Sequence, residues 1–98
     1  MVLPEQLKTI TKEYVPLLTS IRHHLHAHPE LSFKEFETSK YIGGQLQEWN
    51  IPFKNIAVTG IEGIIEGKDP SYKTIALRAD IDALPITEEN NVEYKSKN

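Results

Sequence analysis

The sequence predicts an α/β unit: two N-terminal helices, then three strands in antiparallel connection. Two observations predict it. From Leu3 to Leu25 the apolar residues step by three or four, the period of a helix face. Beyond Pro52 the pattern changes to short apolar runs separated by turn signals, Thr59-Gly60 and then Asp69-Pro70-Ser71.

The first helix is expected over about residues 4–28. Leu3, Leu7, Ile10, Tyr14, Leu17, Ile21 and Leu25 form one stripe. Pro4 suits a first helical turn. Pro16 does not suit a helix interior, because it lacks an N–H and crowds the preceding turn, so a kink or two abutting helices are expected there. Pro29 ends the segment by pushing its predecessor out of the helical region.

The second helix is expected over about residues 33–49. Ser32 and Glu35 have the spacing of a capping box. Phe36, Ile42, Leu46 and Trp49 supply the apolar face. Gly43-Gly44 sits inside the helix at about 1 kcal/mol per glycine relative to alanine, which suggests that another backbone passes close by. Asn50 can cap the C-terminus, and Pro52 prevents continuation.

Strands are expected at about 54–58, 61–66 and 74–79. The tight connections make neighbours antiparallel. The run Thr74-Ile75-Ala76-Leu77 is apolar without strict alternation, as in a strand covered on both faces, yet little in this chain could cover the second face. The polar tail from Thr87 reads as loop or frayed end.

With 98 residues, the chain holds one domain at most. Apolar content of 39% and charged content of 26% place it among globular chains. The net charge is −3 and there is no basic block, which argues against nucleic acid as a partner. The absence of cysteine excludes disulfides and thiolate metal sites. No run approaches the ~20 apolar residues of a membrane span. No signal peptide is recognised at the start, so a cytoplasmic location is expected.

Three groups of residues could carry chemistry. Residues 22–30, RHHLHAHPE, hold His23, His24, His26 and His28 at helical spacing. Neutral imidazoles so spaced can bind a metal. The more economical reading is a solvated polar face at a helix C-terminus, where imidazolium suits the dipole. Glu30 could bind a ligand or act as a base, but a loop glutamate more often pins backbone N–H groups. Finally, Arg78, Asp80 and Asp82 alternate just past the end of an expected strand, where ligands bind in open α/β sheets. Paired carboxylates suit hard cations or acid–base work. They equally suit an Arg–Asp clamp that locks a loop.

These residues carry a resemblance. Arg22 with Leu25-His26, Pro29-Glu30-Leu31-Ser32, Glu35, Thr38, Thr59-Gly60, Gly67 and the run LRADIDALP at 77–85 with Glu88 all match one family. The chain resembles the N-terminal part of the M20 metallopeptidase clan, in its subgroup of N-acyl-amino-acid amidohydrolases, which includes hippurate hydrolase. The match extends from about residue 5 across nearly the whole chain.

The resemblance implies the N-terminal part of a zinc-exopeptidase-like (phosphorylase/hydrolase-like) catalytic domain. The rest of that domain and a lid domain would lie outside these residues. It implies hydrolysis of the amide bond of small N-acyl amino acids, with two divalent metal ions (zinc, manganese or nickel) activating a water. Related peptidases carry a His-x-Asp pair at this strand end, and Arg78-Ala79-Asp80 stands there in this chain. Arginine cannot ligate a cation. Asp80 keeps the position that orients metal ligands or the reacting water, and Asp82 and Arg78 support the site wall. No metal ligand is expected within these residues.

The chain is then expected to be a piece of an enzyme, inactive alone. The alternative is a non-catalytic half-fold that binds a partner or dimerises through exposed sheet surface.

Overall fold

The computed structural model describes residues 3–97. It contains two helices and a two-stranded antiparallel sheet, in the order α1 (Leu3–Ala27), α2 (Phe36–Glu48), β1 (Phe53–Ile56) and β2 (Gly60–Gly63). Two compact units form: α1 with the tail from Thr87, and Pro29–Ile86.

In the first unit, α1 runs unbroken through Pro16, in place of the expected kink. The helix bridges the one backbone bond that a proline cannot donate, because the turns on both sides still hold. Glu5 lies in the first turn and His24 and His26 in the last, each on the side that the helix dipole favours. The helix stops two residues short of Pro29. Ala27 is the one buried apolar side chain among the described residues, at 5% exposure. The tail is not frayed: Lys97 donates its N–H to the Ala27 carbonyl at 2.8 Å, satisfying one of the helix's terminal acceptors.

In the second unit, α2 begins at Phe36, so Ser32 is too early to cap it. The flanking Glu35 makes no capping bond with its side chain. The C-terminus follows the sequence closely. Asn50 takes a left-handed φ of 57°. Its N–H reaches the Gln47 carbonyl at 3.0 Å, and the Ile51 N–H reaches that of Leu46 at 2.9 Å. This is a Schellman closure, with Asn in the place that usually falls to glycine.

The hairpin pairs Phe53 with Gly63, Lys54 with Glu62, Asn55 with Ile61 and Ile56 with Gly60. Its turn is Ala57-Val58-Thr59, two residues earlier than Thr59-Gly60, so β1 ends before the expected Val58. Gly60 is needed inside the ladder, where a Cβ would lie 2.8 Å from the Ile56 carbonyl oxygen. The hairpin packs on α2. A Cβ at Gly43 would lie 3.2 Å from the Phe53 ring, so the close neighbour of this glycine is a side chain, while Gly44 faces open space.

The third strand, expected at 74–79, is not formed: no ladder includes these residues among those described. A strand exists only by pairing, and no described segment pairs with this one in a ladder. Its apolar side chains are left in solvent, with Ile75 at 85% and Leu77 at 97% exposure. Pairing resumes as a single parallel bridge between Leu31 and Ala83.

Candidate functional site

The charged run 78–82 is anchored at its far end. The Ala83 N–H donates to the Glu30 carbonyl at 2.7 Å, beside the Leu31–Ala83 bridge. Glu30 is itself fixed. Its carboxylate accepts the Thr38 N–H and the Thr38 hydroxyl, both at 2.6 Å, and the Glu37 N–H at 3.3 Å. Both backbone donors belong to the first turn of α2, whose N–H groups have no partner within the helix. Glu30 is therefore the cap of α2, supplied from outside the helix. Partial burial opposes its ionisation, but the bonds from Thr38 and Glu37 outweigh that and hold its carboxyl below the usual range. Of the two roles open to Glu30, the structure gives it the pinning one.

Within the run, Arg78 donates to Asp80 through one guanidinium nitrogen at 3.0 Å. Alternate positions thus face one way, as an extended chain requires. Both side chains are exposed, so the pair contributes at most about 1 kcal/mol. Asp82 is exposed and stands next to the anchored Ala83. Among the described residues, no group of three His, Asp or Glu is placed to hold a metal ion. Neither the acidic run nor the histidines make a dinuclear centre.

The interior of this unit is polar. Glu35, Thr38, Ser39 and Thr59 are all buried. Asn55 donates to the Ser39 hydroxyl at 3.3 Å. One Glu35 carboxylate oxygen is buried with no hydrogen-bond partner in the structure. Sequence spacing had given Glu35 a capping role, and no pattern signals that oxygen's isolation.

The histidines act within the first unit. His24 and His28 stack with ring centroids 4.5 Å apart, and the His28 ring bonds the His24 carbonyl at 2.8 Å. Desolvation, with His28 and Lys97 nearby, lowers the pKa of His24. His26 meets Glu88, its Nε2 lying 2.9 and 3.0 Å from the two carboxylate oxygens. Tyr94 stacks on His23 at 3.7 Å. Helical spacing revealed the histidine cluster but neither of these distant partners.

A scan against protein-family models finds no match. Curated relatives do match. An uncharacterized hydrolase of Staphylococcus epidermidis is 51% identical over 81 residues, which is 83% of this chain and 21% of the relative. One of Staphylococcus aureus is 52% identical over 80 residues, 82% of this chain and 20% of the relative. The crystal structure of the Bacillus subtilis YXEP protein, a dinuclear metal binding peptidase from the M20 family, superposes with a TM-score of 0.81 at 43% identity. The two folds correspond. That match covers 88% of this chain and 24% of YXEP. The chain spans about one fifth of the length of the curated relatives it matches. No helix among the described residues is long and apolar enough to cross a membrane.

Proposed function

We propose that these residues are the N-terminal portion of an M20-family metal-dependent hydrolase that cleaves the amide bond of N-acyl amino acids. The observation that carries this reading is the correspondence with YXEP, at 43% identity over 88% of the chain. The hydrolase relatives point the same way. In this reading two divalent ions, zinc, manganese or nickel, supply the activated water when bound. Among the described residues no group of three His, Asp or Glu is placed to hold such an ion, and in this reading the remaining site residues lie elsewhere in the longer protein. Asp80 orients a polar group at the cleft wall, and Arg78 and Asp82 support that wall.

The first test is the intact mass of the protein in its native source, where a mass several times that of this chain is expected. In that longer protein, Asp80→Asn should lower turnover of N-acetyl or N-benzoyl amino acids at least about tenfold with the fold intact, the scale of losing a group that orients a metal ligand. Unchanged turnover removes Asp80 from the site. Dipeptide cleavage without N-acyl amino acid cleavage would replace the amidohydrolase reading with a peptidase one. Hydrolysis by the metal-loaded 98-residue chain itself would contradict the expectation that it is inactive alone.

A further inference from the structure

We infer that residues 87–97 form a strap latched onto the last two turns of α1 through the His26–Glu88 pair, and that the latch opens in acid. Three kinds of contact define it. Glu88 accepts from His26 Nε2 at 2.9 and 3.0 Å and from the Ser96 N–H at 2.7 Å, so one carboxylate ties the strap to the helix and to itself. The Tyr94 ring lies parallel to His23 within 11° at 3.7 Å and meets His26 edge-on at 5.7 Å. Lys97 donates its N–H to the Ala27 carbonyl at 2.8 Å. The strap turns between these anchors through a bond from the Lys95 N–H to the Val92 carbonyl at 3.1 Å.

The groups around the latch set its pH response. His26 bonds Glu88 and meets the Tyr94 ring edge-on, and Asn90 adds a side-chain bond to Glu88. His23 stacks on the Tyr94 ring, and Lys97 and His28 both stand near His24. The bond from the Ser96 N–H, then the bond from His26, hold the Glu88 carboxyl below its ordinary range. A folded value below the unfolded one means that the contribution is present above the unfolded value. It is lost as pH falls through the folded one.

The test is amide hydrogen exchange by NMR on the 98-residue chain, with the Ile51 amide of the second unit as internal reference. At neutral pH the Ser96 and Lys97 amides should be protected, and in acid they should lose protection before Ile51 does. Glu88→Gln should speed exchange at both by about tenfold or more relative to Ile51, since it replaces a charge-assisted acceptor with a neutral one. Should that variant unfold, Tyr94→Ala removes the ring contacts with His23 and His26 while leaving Glu88 in place, and should speed exchange at the same two amides. Free exchange of Ser96 at neutral pH in the unaltered chain overturns the strap, as does unchanged exchange in every variant that folds. Retained Ser96 protection in acid, with Ile51 already exchanging, overturns the acid opening.

Discussion

The Glu30 carboxylate accepts hydrogen bonds from two backbone N–H groups in the first turn of α2 and from the Thr38 hydroxyl. Local spacing pointed instead to Ser32 and Glu35. The turn between them explains the difference. The Lys34 N–H bonds the Leu31 carbonyl at 2.9 Å, and Phe33 takes a φ of 65°, so the chain reverses before the helix starts. That reversal brings a carboxylate six residues upstream of Phe36 to the helix end. Removing it as Glu30→Ala should cost about 1 kcal/mol at neutral pH, the usual worth of an N-cap. Because the pKa of Glu30 is lowered on folding, the cap stabilises above the ordinary glutamate value of 4.5 and fades as pH falls through the folded value. Urea unfolding of the chain and the variant should thus show a gap at neutral pH that closes in acid. A gap that widens in acid would mean that the cap is not ionised.

Among the elements, what was local in sequence was legible. The stripe from Leu3 to Leu25 gave α1 almost to its ends, and Asn50 and Pro52 gave the close of α2. Pairing was less legible, because it depends on partners far away. The turn moved to Ala57-Val58, where Val58 holds a φ of 70°, costly for a β-branched residue. His26 and Glu88 meet across 62 positions, beyond the reach of any period. The Arg78–Asp80 pair, two positions apart, was readable from alternation, while the third strand was read from composition and has no ladder. Pro16 tests the energetics of an element directly. An interior proline costs a helix about 3 kcal/mol relative to alanine. Pro16→Ala should therefore raise the helical signal of the chain and its unfolding midpoint by circular dichroism. No change would mean that α1 already divides in solution at that position.

Across the whole molecule, burial and apolar content do not match. Leu77, Ile75, Ile65, Ile86 and Leu84 are each more than two-thirds exposed, in the same unit whose buried side chains are Glu35, Thr38, Ser39 and Thr59. Each large apolar side chain contributes about 1.5–3 kcal/mol on full burial. An ordinary domain is stable by only about 5–15 kcal/mol in total. Leaving several such side chains in water therefore removes a share comparable to the whole margin. Exposed apolar surface of this kind recruits a partner surface, and here the unpaired extended run 74–79 adds free backbone donors and acceptors. The chain alone should be marginally stable and should self-associate, with a thermal midpoint that rises with concentration. Sedimentation velocity at concentrations roughly tenfold apart reads this directly. The double variant Ile75→Lys, Leu77→Lys should weaken association without lowering the midpoint of the dilute chain, because neither side chain is packed. A monomer with a high, concentration-independent midpoint would mean that the polar interior suffices. The exposed run would then have no stabilising partner to find.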